Sequence, residues 1–219
     1  MSTILTISDL HCPYHHPGAF DFLSSLRRRY KPTRVICLGD EIDAHCWSRF
    51  PRNPDLPGAR DEMEKAVAAL RTLYKIFPSV DVCLSNHTIR PWRRSSEVGL
   101  PNLFLKSIKE VLEAPVGWNW HENVRVDDVL FIHGEGFSGQ NGAVKAAMLH
   151  RHKVVMAHIH AWGGVVHLTG MFDRIYGMNA GCLVDAESEA FSYGKHLATR
   201  PTIGTGVIVE GVPVFVPMV

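Results

Sequence analysis

Acidic and histidine residues follow a short apolar run near the start of the sequence. The segment "TISDLH" places Asp9 and His11 two residues apart, just after the run from Ile4 to Ile7. Residues two apart on a β-strand point to the same side, so these side chains can reach one point beyond the strand. A carboxylate and an imidazole that converge in this way suit a divalent metal ion.

Four more apolar runs end in the same kinds of residue: "CLGDEID", "CLSNH", "FIHGE" and "MAHIH". In open α/β sheets, sites lie beyond the carboxyl ends of the strands, so five such ends can meet in one cleft. The donors predicted to meet there are Asp9, His11, Asp40, Asn86, His133, His158 and His160. These oxygen and nitrogen donors are too many for one tetrahedral ion and suit two ions that share a bridging carboxylate. Since the set contains no cysteine, a structural zinc site is disfavoured.

Helical and strand-like segments alternate around these motifs. Two sets of apolar residues have the spacing of one helix face: Ala19, Phe22, Leu23, Leu26 and Tyr30, then Met63, Val67, Leu70, Tyr74 and Phe77. A third helix is predicted from Asn102 to Leu112, and "GVIVEGVPVFV" predicts a hairpin that turns at Glu210 and Gly211. The alternation predicts one α/β domain over residues 1–219, with a β-rich final third.

The overall composition narrows the class of protein. The chain has 219 residues, of which 46% are hydrophobic. Its net charge is +1, so the overall charge gives no indication of nucleic-acid or membrane binding. Its five cysteines are odd in number, which favours a reduced protein over a disulfide scaffold. No apolar run approaches the roughly 20 residues that span a bilayer. We therefore expect a soluble cytoplasmic protein with no membrane partner.

The motifs together resemble those of a known superfamily. The order Asp-x-His, Gly-Asp-x-x-Asp, Asn-His, His and His-x-His, from Asp9 to His160, resembles the calcineurin-like metallophosphoesterases. The resemblance implies a four-layer α/β/β/α sandwich with two divalent metal ions. It implies that one ion is held by Asp9, His11 and His160. It implies that the other is held by Asn86, His133 and His158, with Asp40 as the bridge.

The resemblance also implies an activity. It predicts hydrolysis of a phosphoester by in-line attack of a hydroxide that bridges the metals, with His87 facing the substrate and Asp43 as the carboxylate partner of His87. Oxygen and imidazole donors favour manganese, with iron, zinc or nickel as alternatives. The segment from "SNHTIRPW" to "GMNAGC" also resembles the sequences of small members of the superfamily that bacteriophages encode.

Three positions depart from the pattern of the superfamily. Ser85 and Ala157 replace glycines, and Thr88 replaces an acid. Because both glycine replacements are small, we expect the backbone turns to survive with some strain. The missing acid at Thr88 puts in doubt whatever supporting role that acid plays in other members.

The segment "TIRPWRR" suggests a substrate class. It places Arg90, Arg93 and Arg94 beside Trp92, and Trp47, Arg49 and Arg52 lie in the irregular loop after Asp43. Guanidinium groups suit phosphate oxygens and an indole can stack on a base, which favours a nucleotide or nucleic-acid phosphodiester. Two alternatives stay open: a phosphomonoesterase acting on a small molecule, and a non-catalytic binding module. For any single arginine, a position in a solvated surface loop is the simpler explanation.

Overall fold

Two β-sheets form the centre of the computed structural model, which describes residues 2–50, 53–188, 190–191 and 198–219. The first sheet contains β1 (Ile4–Ile7), β2 (Arg34–Cys37), β3 (Ser79–Cys83), β4 (Gly117–His121), β10 (Gly204–Val209) and β11 (Val212–Pro217), in the order β11-β10-β1-β2-β3-β4. From β1 to β4 the strands run parallel, and β10 is antiparallel to β1. The predicted hairpin at Glu210 and Gly211 is confirmed, with positive φ at both residues.

The second sheet has five strands. They are β5 (Val124–Val126), β6 (Val129–Phe131), β7 (Lys153–Met156), β8 (Gly163–Thr169) and β9 (Arg174–Ala180), in the order β5-β6-β7-β9-β8. Strands β6, β7 and β9 are parallel, whereas β5 and β8 are antiparallel to their neighbours. The carboxyl ends of β6 and β7 therefore lie at the same edge of this sheet.

Alternating side chains join the sheets and helices into layers. In β7, Val155 packs between the sheets with Ile36 of β2, whereas Val154 packs on the opposite side against a helix. The same alternation in β1 sends Ile4 to the space between the sheets and Leu5 to the helices outside. This arrangement confirms the predicted α/β/β/α sandwich.

Helices cover the outer face of each sheet. On the first sheet lie α1 (Ala19–Tyr30) and α2 (Ala59–Ile76), as their apolar spacing predicts, and on the second lies α5 (Gly142–His150). Two shorter helices are α3 (Arg90–Glu97) and α4 (Ile108–Val111). Within the described residues, no helix combines the length and the apolar character needed to cross a membrane.

The predicted helix from Asn102 to Leu112 is wrong. This segment forms a 3-10 turn at Asn102–Phe104, an extended link and then the short helix α4. Ser107 caps α4 by a capping box with Glu110, which starts a new helix rather than continuing an old one. Apolar spacing alone overlooked the capping box.

Helix α5 packs very closely on β9 at a glycine. A methyl group on Gly177 would lie 2.3 Å from the carbonyl oxygen of Ala143, a backbone atom that cannot rotate away. The absence of a side chain at Gly177 therefore sets the distance between α5 and the second sheet.

We expect the substitution Gly177→Ala to destabilise the protein, because its new methyl group would push α5 away from β9. The expected loss in the free energy of unfolding, measured by urea denaturation, is about 1–3 kcal/mol. Gly58→Ala is the matched control, since no atom lies within 4 Å of a methyl group there and its loss should be smaller. Equal losses in the two variants would contradict the close contact.

Candidate metal centre

The predicted metal ligands follow the carboxyl ends of five strands. Asp9 and His11 follow β1, Asp40 follows β2, and Asn86 follows β3 in the first sheet, while His133 follows β6 and His158 and His160 follow β7 in the second. Because the two sheets pack face to face, these ends meet at one edge of the sandwich. The structure brings all seven side chains together there.

A continuous series of short contacts links five of the seven predicted ligands. His160 Nε2 lies 3.3 Å from Asp9 Oδ2 and 3.2 Å from His11 Nε2. His11 Nε2 lies 3.4 Å from Asp40 Oδ2, which is itself 3.4 Å from His133 Nε2. Ligand bonds of roughly 2.0–2.2 Å place two ligand atoms of one ion about 3–3.5 Å apart, so this spacing fits metal coordination.

A hydrogen bond to the first sheet orients the ring of His133 as a metal ligand requires. His133 Nδ1 donates to the carbonyl oxygen of Leu38 at 2.9 Å, so Nε2 is directed towards the other predicted ligands. Nε2 lies 2.7 Å from Asn86 Oδ1 and 3.4 Å from Asp40 Oδ2. These nitrogen and oxygen atoms together suit a divalent cation.

The buried carboxylates give the same indication. Asp9 and Asp40 are at most 1% exposed, and within the described residues neither forms an ion pair with a lysine or arginine. Asp9 Oδ2 accepts the His158 backbone N–H at 2.7 Å, whereas Asp9 Oδ1 is buried with no hydrogen-bond partner. Divalent ions would satisfy both carboxylates, so the donor set fits two metal ions.

Among the described residues, four groups of side chains could each hold a metal ion, and two of them consist only of predicted ligands. One of these is Asp9, His11 and His160, and the other is Asp40, His133 and His158. A third group joins His87 to His11 and Asp40, and the fourth is His45, Cys46 and Glu62. Asn86 adjoins the second group through its contact with His133. His11 also approaches Asp40, so the Asp40 carboxylate lies between the two groups.

Burial and neighbouring charges set the protonation of these groups. Burial lowers the pKa of His11 and of His158, which favours the neutral imidazole that a metal ion requires. Burial alone would raise the pKa of Asp40, but the positive charge of its histidine neighbours when they are protonated, His133 foremost, outweighs it and holds that pKa far below its usual value. The carboxylate form of Asp40 is therefore favoured where a positive charge lies beside it.

Several of the ligands have unusual backbone conformations. Asp9, His11, Asp40 and His158 have positive φ values of 34°, 50°, 49° and 68°. Such conformations cost non-glycine residues on the order of 1–3 kcal/mol each and persist only where the surrounding structure enforces them. In contrast, Ser85 and Ala157 do not have positive φ. The turns survive as expected, but the strain falls on the ligands rather than on the residues that replace the glycines.

His87 lies beside the predicted ligands and contacts Asp43. The Nη2 group of Arg90 lies 2.9 Å from His87 Nε2, and because a guanidinium can only donate, Nε2 is the acceptor and Nδ1 carries the proton. Nδ1 lies 3.1 Å from Asp43 Oδ1 and 2.8 Å from the Asp43 carbonyl oxygen. Burial alone would lower the pKa of His87, but Asp40 and Asp43 raise it above its usual value.

Asp43 also orients a predicted metal ligand. His11 Nδ1 donates to Asp43 Oδ1 at 2.7 Å, which leaves His11 Nε2 free to bind a metal ion. One buried carboxylate therefore fixes the rings of both His11 and His87.

Two residues that the sequence analysis did not single out support or cover the centre. One is Glu41, which is described below. The other is Phe191, a buried residue whose ring packs edge-on against His11 and His160 with centroid distances of 5.5 and 6.2 Å. Phe191 shields that side of the centre from water, whereas His87 and Asn86 are partly exposed. No short motif marks Phe191, so only the tertiary structure could reveal it.

Glu41 accepts a directed chain of hydrogen bonds. The Asp40 N–H donates to Ser85 Oγ at 2.8 Å, Ser85 Oγ to Thr88 Oγ1 at 2.8 Å, and Thr88 Oγ1 to Glu41 Oε2 at 2.8 Å. Trp120 donates to the other Glu41 oxygen at 2.9 Å. Glu41 is fully buried. The chain joins the β2 and β3 ends, and the acid missing at position 88 has a counterpart at position 41.

A glycine permits the close approach of these two strand ends. Gly39 has φ of 99°, and a methyl group there would lie 2.5 Å from the Cβ atom of Ser85. The glycine of the Gly-Asp motif is therefore needed both for the positive φ at Gly39 and for the close approach of Ser85.

The predicted substrate residues occupy two different places. Arg90, Arg93 and Arg94 line a recess beside Asn86, together with Trp47 and Arg49. Trp92 faces a separate apolar groove and donates to the carbonyl oxygen of Lys106. Arg90, Arg93 and Arg94 belong to helix α3 rather than to a loop. Arg52 lies outside the described residues.

Comparisons with known proteins bear on the fold. No protein-family model matches the sequence, and no curated protein sequence matches it either. Among solved structures, YfcE, a phosphoesterase from E. coli, superposes with a TM-score of 0.51 at 17% sequence identity, over 98% of this chain and 92% of YfcE. The chain has the metallophosphoesterase fold.

Two further structures show a weaker likeness to this metallophosphoesterase fold. Vps29 from Chaetomium thermophilum has a TM-score of 0.44 at 14% identity, over 97% of this chain and 87% of Vps29. The nuclease MPE from Pseudomonas putida has a TM-score of 0.39 at 11% identity, over 96% of this chain and 84% of MPE.

We expect Glu41→Gln to weaken manganese binding about tenfold or more, as substitutions behind metal ligands commonly do. The new amide group would oppose either the Thr88 hydroxyl or the Trp120 N–H, and the chain that holds Asp40 would break. The measurement is competition for the ion with a chromophoric chelator. Glu113→Gln, which alters an exposed carboxylate paired with Arg71, is the matched control. An affinity equal to that of the control would contradict the supporting role of Glu41.

Proposed function

We propose that this protein is a metal-dependent phosphoesterase, and most specifically a phosphodiesterase that acts on nucleotides or nucleic acids. The observation that carries the proposal is the convergence of nitrogen and oxygen ligand atoms around Asp40, with His87 at the open side. A phosphate group placed there would face both the metal ligands and a histidine able to exchange a proton.

Divalent ions at the two ligand groups would lower the pKa of a bound water and neutralise charge on the phosphate oxygens. The residues of the chain then have separate tasks. His87 Nε2 is the atom positioned to pass a proton to the leaving oxygen, and the raised pKa of His87 favours the doubly protonated ring that this step needs. Asp43 holds His87 in place through Nδ1 and stabilises its positive charge.

Arg90 has a place in this sequence of events. In the structure its guanidinium donates to His87 Nε2 and to the carbonyl oxygen of Asp43. A substrate phosphate can draw the Arg90 guanidinium towards its own oxygens, because charge-assisted bonds are stronger than bonds to neutral acceptors. That movement would free His87 Nε2 to take up a proton and face the leaving oxygen.

The substrate class and the metal identity follow from the donors. Arginines beside Asn86 favour a substrate rich in phosphate, and Trp92, which does not line this recess, lines a neighbouring surface with Arg49 and Arg93. Oxygen and imidazole ligands favour manganese, with iron, zinc and nickel as alternatives. The cytoplasmic location and the bacteriophage source stay predictions from the sequence.

A phosphomonoesterase is the alternative activity, since it would use the same metal ligands and the same His87. The arginines around Asn86 favour it if they enclose a terminal phosphate. A non-catalytic binding module is the third reading, and the hydrogen-bonded pair of His87 and Asp43 argues against it. The two experiments that follow separate these functions.

We expect the manganese-loaded protein to hydrolyse bis(p-nitrophenyl) phosphate in preference to p-nitrophenyl phosphate. His87→Ala should lower turnover of the diester by about 10²–10⁴-fold, because the variant lacks the proton donor. Manganese content should remain that of the wild type, which separates loss of chemistry from loss of metal. Preference for the monoester would instead establish the phosphatase, and turnover of neither ester would favour the binding module.

We expect metal-stripped protein to bind two manganese ions per chain, as its two groups of ligands indicate. His133→Ala should retain one ion, because it removes a ligand from one group only. Equilibrium dialysis gives the stoichiometry, and the ions should raise the midpoint of thermal unfolding because they bind the folded state. Binding of two ions by His133→Ala at the wild-type affinity would place the second ion elsewhere.

A further inference from the structure

A recess of about 170 Å³ adjoins the candidate metal centre. Asn86 lies at its inner end, and its walls come from helix α3, from the segment Trp47–Phe50, and from Glu135 in the loop after β6. We call it the arginine recess, after Arg49, Arg90, Arg93 and Arg94. Two glutamates, Glu97 and Glu135, also line it, so the walls carry a net charge of about plus two.

Two of the arginines hold the walls together. Arg94 donates to the carbonyl oxygens of Trp47 and Ser48 at 3.0 and 2.6 Å, which fixes the irregular loop against α3. Arg90 donates to the Asp43 carbonyl oxygen at 2.8 Å. Among the described residues, Arg90 forms no ion pair with a carboxylate, so its positive charge is not neutralised by one.

Three of the arginines form exposed ion pairs, one of which joins Arg94 to Glu97 at 2.8 Å. Arg93 contacts both carboxylate oxygens of Glu135, the nearest at 3.0 Å, and Arg49 pairs with Glu97. The Arg93 and Arg49 side chains are 45% and 75% exposed. Exposed ion pairs of this kind contribute little stability, so a phosphate anion can compete for either guanidinium.

We propose that the arginine recess binds a phosphate group next to the one that is cleaved. The natural substrate is then an oligonucleotide, in which successive phosphates are joined through nucleosides, rather than an isolated diester. This inference rests on the proposed phosphodiesterase function. Arg93 is the residue that contacts the neighbouring phosphate, and Glu135 occupies Arg93 until that phosphate arrives.

The proposal predicts opposite effects on phosphate binding when Arg93 or Glu135 is replaced. If the pair only stabilises the loop after His133, removal of either side chain should affect ligand binding in the same direction. If Arg93 is a phosphate receptor, loss of Arg93 weakens binding of the second phosphate, whereas loss of Glu135 removes a competitor and strengthens it.

The experiment compares thymidine 3′,5′-bisphosphate with thymidine 5′-phosphate as ligands of the manganese-loaded protein, by calorimetry at low salt. We expect the bisphosphate to bind roughly tenfold more tightly to the wild type, as one charge-assisted contact provides. Arg93→Gln should abolish most of this preference, and Glu135→Gln should increase it. Arg71→Gln, at an exposed ion pair outside the recess, is the matched control and should leave the preference unchanged.

Two results would overturn the inference. One is equal affinity for the two ligands in the wild type. The other is a preference that persists in Arg93→Gln, which would mean that the extra charge of the bisphosphate acts without the recess. Because the measurement is of binding, it is independent of turnover. Tight bisphosphate binding without cleavage of any ester would support the recess and contradict only the phosphodiesterase.

Discussion

The burial of carboxylates and imidazoles at one point is the constraint on which the rest of this structure depends. Asp9 and Asp40 lie in the interior among histidine side chains, and folding must remove these charged groups from water at a cost in electrostatic energy. The two packed β-sheets, which are the most rigid parts of the fold, hold these side chains in position. Strand ends from two packed sheets carry the side chains, so none of them can move apart without disturbing the core.

Backbone strain and hydrogen bonds refine this positioning. Left-handed conformations at Asp9, His11, Asp40 and His158 turn the side chains inward, and a network of buried polar groups maintains those turns. The chain from Asp40 to Glu41 explains the departures at Ser85 and Thr88, since both hydroxyl groups take part in it. The acid that accepts from this chain is Glu41, at the end of β2.

The sequence predicts the layers and the ligand positions because both follow from short-range rules. Short apolar runs mark β1, β6 and β7, and the polar residues after each strand are adjacent in sequence to the strand that carries them. Tertiary contacts decide the rest. The sequence could not place Phe191 over His11, or separate Trp92 from Arg90, because these arrangements depend on the direction in which distant segments meet. The helix predicted over Asn102 to Leu112 is wrong because the chain is extended just before Ser107, where a capping box starts a new helix.

The pairing of β1 with β10 has a consequence for biosynthesis. Ile4 of β1 lies opposite Ile208 of β10, so the strand that leads to Asp9 obtains one of its two neighbours about 200 residues later. At roughly 5–20 residues per second, a ribosome needs on the order of ten seconds or more to deliver that neighbour. During this interval β1 has an unpaired edge in a nascent chain that already carries Asp9 and His11. Chaperones that cover such edges would protect this chain most during that interval, before the strand ends that carry the predicted metal ligands can meet.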